Sequence, residues 1–122
     1  MRKLLDKNIK CNLVFVGADI ENSEIFELVD ELELNKNVWK YGPCYDEVEI
    51  GNLFFNASLC VSPGPVGLTA LHALTFGCPV ITNDNFEKQM PEHEAIVPGI
   101  NGDFYEDGNF NSLVEVIEKW IK

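Results

Sequence analysis

The stretch SPGPVGL, residues 62–68, combines residue types that suit the binding of an anion. Gly64 and Gly67 leave no side chain in the way of a close ligand, and the two prolines beside them stiffen the turn. A helix pattern follows at once. The first N–H groups of a helix, here near Gly67, Leu68 and Thr69, have no partner within it and carry about half a positive charge. The stretch therefore predicts a site for a phosphate or diphosphate that needs no lysine.

Two plainer interpretations of these residues remain open. Glycine turns between a strand and a helix occur in most proteins with doubly wound sheets for packing alone. His72 is the polar exception on the apolar helix that follows the turn. It is either a ligand contact or an ordinary hydrogen-bonded helix residue. The spacing of the residues does not decide between these alternatives.

Short apolar runs alternate with segments of helical periodicity along the whole chain. This alternation is typical of parallel strands covered by helices, because each crossover between parallel strands contains a helix. We therefore predict an α/β fold, an open doubly wound parallel sheet with helices on both faces, which is Rossmann-like. Ligands of such sheets bind beyond the carboxyl ends of the strands, where residues 62–68 lie. The predicted strands are 12–17, 37–43, 59–62, 79–82 and a short one from 102, and the predicted helices cover 2–10, 23–34, a segment after Asp46, 66–76 and 113–121.

Local patterns predict how some of these elements begin and which are buried. Ser23 is expected to cap the second helix, and Asp46 with Glu49 forms a capping-box-like start for the third. Strand 12–17 is expected to be buried. The helix after the turn is apolar nearly all round, so we expect it to be buried too. Its apolar residues are Val66, Leu68, Leu71, Leu74 and Phe76.

Size and charge exclude several classes of protein. The chain of 122 residues is long enough for one core, and we interpret residues 1–122 as a single domain. A net charge of −11 repels a nucleic-acid backbone, so nucleic acid is excluded as a partner. No run approaches the roughly 18 apolar residues of a membrane span, and the start lacks a signal-peptide pattern. We therefore predict a cytoplasmic protein for which the chain indicates no membrane association.

The cysteines indicate neither a metal nor a disulfide framework. All four are far apart, without a CxxC pair, and the chain has two histidines. We interpret the cysteines as reduced thiols of the core or of loops. No acidic DxD-like cluster stands out, so we predict no metal and no cofactor.

Two longer stretches carry a resemblance to a known family. They are residues 61–82, VSPGPVGLTALHALTFGCPVIT, and residues 94–105, EAIVPGINGDFY. They resemble the motifs of the retaining glycosyltransferases of family 4, the group 1 glycosyltransferases with the GT-B fold. The stretch YGPCYDEVEIGNLFFNASLCVSPG is similar to this family as well, and the likeness runs from Leu13 to the end. The chain thus resembles the carboxyl-terminal, donor-binding half of such an enzyme.

The resemblance implies a nucleotide-sugar donor and transfer of the sugar to an acceptor with retention at the anomeric carbon, without a bound metal. By position, the turn at Gly67, Leu68 and Thr69 would hold the donor diphosphate. The loop around Pro43 and Cys44 would lie against the nucleobase. Polysaccharide or glycoconjugate synthesis is the setting that the family implies.

Three further positions follow from the same resemblance. Glu94 takes the place of the acid in the family's E-x-x-x-D-G segment and is predicted as a catalytic residue, the alternative being an exposed loop carboxylate. Gly64 and His72 stand where the family has two donor-binding glutamates. The first replacement removes an acceptor for sugar hydroxyls, whereas a neutral imidazole can still hydrogen-bond a ribose hydroxyl. We therefore expect a divergent subgroup with altered sugar contacts.

The family's phosphate-neutralising arginine and lysine precede the part that this chain resembles. The chain opens on a helix with no strand before it, so we interpret it as truncated on its amino-terminal side. Its implied partner is the missing amino-terminal, acceptor-binding half. A helix end compensates only part of the charge on a leaving diphosphate. We therefore expect the isolated chain to bind the donor weakly and to be inactive.

Other functions remain as alternatives. The loss of both glutamates is compatible with a non-catalytic nucleotide-binding or interaction module, and a nucleotide-sugar epimerase has the same two-half architecture. A receiver-type signalling domain would use acidic residues such as Asp19 and Asp84 at the strand ends. That class also needs a lysine on a late strand, which PVITND lacks.

Overall fold

The computed structural model describes residues 1–17 and 24–121, and the cap predicted at Ser23 lies outside them. The chain divides into two compact units, Met1–Asp46 (unit 1) and Glu47–Lys122 (unit 2). Unit 1 contains α1 (Arg2–Asp6), β1 (Leu13–Val16), α2 (Ile25–Glu31) and β2 (Val38–Gly42). Unit 2 contains α3 (Glu47–Asn56), β3 (Cys60–Ser62), α4 (Leu68–Thr75), β4 (Val80–Asn83), a 3₁₀ helix (Pro91–Ala95), β5 (Gly102–Tyr105) and α5 (Phe110–Ile121).

Unit 1 is a parallel pair of strands with β1 beside β2. The Phe15 ring of β1 meets the edge of Phe26 from α2 at a centroid distance of 6.3 Å, so this face of the strand is covered. Val14 and Val16 point the other way and are 40% and 47% exposed. The prediction that strand 12–17 is buried was therefore wrong, because successive side chains of a strand point to opposite faces and α2 covers one of them.

Unit 2 is built on a three-stranded sheet in the order β3-β4-β5, with both pairs parallel. All four residues of the central strand β4 are buried. Parallel strands in open sheets, alternating with helices along the chain, confirm the predicted α/β class. The core beside β4 consists of Val66, Ala70, Ala73, Cys78, Val80 and Ile96.

Helix α4 packs on this core through its small residues. Ala70 and Ala73 are completely buried, whereas Leu68 is 65% and Leu71 is 41% exposed. The expectation that α4 is buried all round was therefore wrong. Alanines let the helix lie close to the sheet, and residues three apart share a helix face, so the leucines are left on the outer side. Of the predicted apolar set, Val66 alone is completely buried.

Two further helices complete unit 2. Helix α3 begins at Glu47, directly after the Asp46 at which a start was predicted. Its Gly51 lies against the ring of Phe76, so close that an added Cβ would be 2.8 Å from Phe76 Cε1. Helix α5 is held to β5 by Asp103, whose Oδ2 accepts hydrogen bonds from Trp120 Nε1 at 3.3 Å and from Lys119 Nζ at 3.2 Å.

Candidate functional site

The candidate site is the glycine turn, residues 63–67, which connects the carboxyl end of β3 to the start of α4. Gly67 is the N-cap residue of α4, and among the described residues no side chain caps the helix through a hydrogen bond to this end. The first hydrogen bond of the helix runs from Ala70 N–H to Gly67 O at 3.0 Å. The N–H groups of Leu68 and Thr69 come before this bond in the chain and make no hydrogen bond within the helix. They are therefore available to an anion.

The glycines of the turn are surrounded by open space. An ideal Cβ built on Gly64 or on Gly67 meets no heavy atom of the described residues within 4 Å, apart from the neighbours in the chain. Neither residue has a positive φ. Packing within the described chain therefore does not explain these two glycines, whereas the close approach of a ligand would.

The carbonyl groups on the amino-terminal side of the turn are held by side chains from β4 and β5. Asn83 Nδ2 donates to Pro63 O at 2.7 Å, and the Tyr105 hydroxyl lies 3.3 Å from the same oxygen. Thr82 Oγ1 donates to Ser62 O at 2.7 Å. Thr82 and Asn83 are buried polar residues at the end of the central strand. These bonds turn the carbonyls of the loop towards the sheet and away from any ligand beyond the helix end.

Gln89 completes this network from the irregular segment after β4. Its Oε1 accepts the Val66 N–H at 2.7 Å, and its Nε2 donates to Thr82 Oγ1 and to Asn83 O, both at 3.0 Å. We refer to the four side chains that hold the turn, Thr82, Asn83, Gln89 and Tyr105, as the latch residues. The sequence analysis did not identify any of them. Polar residues at the end of the apolar strand PVITN were a signal for Thr82 and Asn83, but no local pattern pointed to Gln89.

His72 lies on the outer face of α4, one helical turn after Leu68, and its side chain is exposed. In the part of the chain that the structure describes, no hydrogen-bond partner of its imidazole is found. The geometry therefore does not favour the alternative of a hydrogen-bonded helix residue. The side chain is accessible from solvent on the helix that also carries the N–H groups of the turn.

The 3₁₀ helix carries the predicted catalytic residue Glu94 and packs against α4. Glu94 is exposed. Its neighbour Glu92 is half-buried, and Oε2 of Glu92 is a buried atom without a hydrogen-bond partner among the described residues. Between the two, the His93 ring stacks on Phe86 at a centroid distance of 5.0 Å. The structure thus places a second carboxylate, which sequence reasoning passed over, on the same short helix.

Pro43 and Cys44, predicted to lie against the nucleobase, follow β2 in unit 1. Gly42 before them has a positive φ of 87°, and Cys44 Sγ lies 4.0 Å from Asp46 O. The glycine turn belongs to unit 2. The role of Pro43 and Cys44 at a nucleobase therefore stays a prediction.

The cysteines of unit 2 are unsuited to nucleophilic chemistry. Burial raises the pKa of the Cys60 thiol to about 11. Burial, and to a lesser extent the charge of Cys60, likewise raises the pKa of Cys78 to about 11. Both side chains are therefore protonated at neutral pH, and the thiolate is the nucleophilic form. No disulfide bond joins the four cysteines, all of which lie among the described residues.

Cationic side chains are scarce around the turn. Residues 47–122 contain no arginine, and their lysines are Lys88, Lys119 and Lys122. Lys119 is already paired with Asp103 at 3.2 Å. Any phosphate at the glycine turn is therefore held within this unit mainly by backbone N–H groups. Within residues 1–17 and 24–121, no group of three or more His, Cys, Asp or Glu side chains is arranged to hold a metal ion.

The described helices are too short or too polar to cross a membrane. A cytoplasmic location stays a prediction.

Solved structures share this fold, and one of them is a galactosyltransferase. The galactosyltransferase WaaB of the lipopolysaccharide outer core is 22% identical, with a TM-score of 0.73 over 98% of this chain and 35% of its own. Anabaena HepE in complex with UDP-glucose is 21% identical, with a TM-score of 0.73 over 98% of this chain and 34% of its own. A variant of S. aureus TarM in complex with UDP is 18% identical, with a TM-score of 0.77 over 98% of this chain and 24% of its own. The chain thus spans at most about a third of the length of these structures.

Sequence comparison agrees with the fold. No curated protein sequence matches the chain. The family model described as glycosyl transferases group 1 matches residues 1–122. The α/β architecture, the parallel strands and this match over the whole length lead to one conclusion: the chain belongs to the group 1 glycosyltransferases.

Proposed function

We propose that the glycine turn binds the diphosphate of a nucleotide-sugar, and that residues 1–122 form the donor-binding domain of a retaining glycosyltransferase. The observation that carries this proposal is the empty space at Gly64 and Gly67 beside the N–H groups of Leu68 and Thr69. A diphosphate fits this combination because it needs hydrogen-bond donors and a close approach to the backbone. That HepE has been solved with UDP-glucose and TarM with UDP supports the choice of ligand.

We propose roles for the remaining residues that the family resemblance singles out. His72 would hydrogen-bond a ribose hydroxyl of the donor from the exposed face of α4. Gly64 offers no side chain to the donor sugar, so sugar contacts would come from the 3₁₀ helix, where Glu94 is the proposed catalytic residue. Pro43 and Cys44 would lie against the base.

The reaction proposed for the full-length protein is transfer of a hexosyl group with retention, in polysaccharide or glycoconjugate synthesis. The chain's own contribution is to bind and orient the leaving diphosphate. A helix end supplies only part of the charge that the leaving group needs. Since residues 47–122 contain no arginine, further cations would come from the family's arginine and lysine, which precede the part of the donor-binding half that this chain resembles. The chain by itself is therefore proposed to bind the donor weakly and to be inactive.

The test is release of nucleoside diphosphate by the full-length protein supplied with individual nucleotide-sugars and with extracts that contain acceptors. An active transferase releases nucleoside diphosphate and labels an acceptor with the sugar. The replacement of a donor-binding glutamate by Gly64 favours a second candidate, a non-catalytic nucleotide-binding module, which would bind the nucleotide and release nothing. Conversion of the sugar without any acceptor would instead identify an epimerase.

A further inference from the structure

We propose that Gln89 is a positioning residue of the glycine turn, which sets the direction of the N–H groups that bind the diphosphate. This inference rests on the proposed function. Its starting point is that side chains from other segments hold the turn through hydrogen bonds. Val66, just before Gly67, is anchored twice: its side chain is completely buried in the core, and its N–H donates to Gln89 Oε1 at 2.7 Å.

The anchoring of Val66 constrains the peptide groups that come after it in the chain. Because the Val66 N–H points to Gln89, it is not among the groups that face a ligand. The next N–H groups are those of Gly67, Leu68 and Thr69, and the last two are the ones proposed to bind the diphosphate. A glycine has the largest conformational freedom of any residue, so Gly67 alone does not define the direction of these groups. A fixed peptide on its amino-terminal side is therefore required.

The amide side chain of Gln89 can fix this peptide because its hydrogen-bond partners include both a donor and an acceptor. The Val66 N–H is a donor and demands the oxygen, whereas Asn83 O is an acceptor and demands the nitrogen. Thr82 Oγ1 donates to Ser62 O and thereby serves as the acceptor for Gln89 Nε2 at 3.0 Å. A carboxylate at this position would satisfy Val66 and be opposed to Asn83 O.

Gln89 also connects the turn to the other part of the proposed site. It immediately precedes Met90, the N-cap residue of the 3₁₀ helix that carries Glu94. That helix packs against α4. The Gln89 residue therefore connects the proposed diphosphate site to the helix that carries the proposed catalytic carboxylate. Loss of Gln89 is expected to disturb both without removing a direct ligand contact.

The experiment uses the full-length protein and calorimetry with UDP, GDP and ADP and their monophosphates. The measured quantity is the preference for the diphosphate over the monophosphate, taken with the nucleotide that the wild type binds most tightly. Gln89→Met removes three hydrogen bonds while keeping nearly the same shape, and we expect the preference to fall about tenfold. Asn85→Leu is the matched control, because this amide lies on the same segment but donates to Asp107 and not to the turn. It should keep the preference of the wild type.

A second variant separates positioning from a general loss of stability. In Gln89→Glu the carboxyl group can replace the amide only when it is protonated, since it must accept from Val66 and donate to Asn83 O. Lowering the pH from 7.5 to 5.0 protonates about one sixth of carboxyl groups with an ordinary pKa of about 4.3, so it should restore part of the lost preference in this variant, and not in Gln89→Met. Neighbouring charged residues, Glu87, Lys88 and Glu92, are shared with the wild type, whose own pH profile is subtracted.

The outcomes are distinct. A wild type that binds no diphosphate overturns the proposed function and this inference with it. A wild type that prefers the diphosphate, with Gln89→Met and Gln89→Glu at the same preference within twofold, overturns the inference alone. A reduced thermal midpoint with unchanged preference assigns Gln89 to stability only and likewise overturns it.

Discussion

The glycines of the turn and the glycine of β5 are opposite cases in one unit. A Cβ on Gly64 or Gly67 would lie in open space, whereas a Cβ on Gly102 would be 2.1 Å from Val80 O and 2.9 Å from Ile96 Cγ2. Gly102 is thus required by the packing of β5 against β4. Packing within the described chain does not require the turn glycines, and their place at a helix end points to a ligand.

The sequence alone could not show whether the turn glycines serve packing or a ligand. A glycine between a strand and a helix serves either packing or a ligand, and both uses look the same in a sequence. The space around the missing Cβ distinguishes them. It also predicts which substitutions damage the fold and which damage binding.

The largest effect is expected from Gly102→Ala. The new methyl group would clash with a backbone oxygen of the central strand, which cannot move without breaking the sheet. We expect a loss of about 3 kcal/mol or more in the free energy of unfolding, at the upper end for overpacked cores. Denaturant titration followed by circular dichroism measures it. Gly64→Ala is the matched control and should change stability by less than about 1 kcal/mol, since its methyl group meets open space. Equal losses of stability in the two variants would contradict the proposed difference between Gly102 and the turn glycines.

Gly67→Val is expected to have the opposite profile. The branched side chain enters open space, so it disturbs no packing contact, but it covers the N–H groups of Leu68 and Thr69. Loss of two hydrogen bonds to a charged group corresponds to about a hundredfold weaker diphosphate binding. Calorimetry on the full-length protein measures it. Thr75→Val, a branched side chain at the other end of α4, is the control and should bind like the wild type. Unchanged affinity in Gly67→Val would remove the turn from the site.

Alkaline pH is expected to lower the stability of unit 2, which contains Cys60 and Cys78. Burial raises the pKa of both Cys60 and Cys78 from the ordinary 9.0 to about 11. The unfolded chain therefore releases these protons first. Stability is complete below pH 9 and falls as the pH rises from about 9 to about 11. Denaturant titrations across this range should show the fall, and the double variant Cys60→Ala with Cys78→Ala should show less of it. An identical pH profile in that variant would mean that other groups cause the loss.

The turn and the class of fold could be predicted from the sequence because their signals are local. Glycines and prolines between an apolar strand and a helix mark the turn within a few residues, and the alternation of the two periodicities indicates a parallel sheet. The start of α3 after Asp46 was local in the same way. These predictions needed no knowledge of which surfaces meet.

The latch residues could not be predicted, because their partners are distant in the chain. Gln89 bonds Val66 across 23 residues, and Tyr105 reaches Pro63 across 42. A single glutamine in an irregular segment carries no local sequence signal for such contacts. The prediction that α4 is buried was wrong for a related reason. Hydrophobicity ranks leucine above alanine, but the close approach to β4 selects Ala70 and Ala73 for the inner face and leaves Leu68 outside.

The smallest effect is expected at His72, and it tests whether the open side of α4 faces a ligand at all. The exposed imidazole offers one donor and one acceptor, so His72→Ala should cost about 1 kcal/mol, or about fivefold in affinity, for a ribonucleotide. The loss should be smaller for the 2′-deoxy form if that hydroxyl is the partner. Calorimetry with both ligands measures the difference, and Thr75→Ala on the same exposed face is the control. Equal losses for the two nucleotides would mean that the 2′-hydroxyl is not the partner of His72, while the glycine turn could still hold the diphosphate.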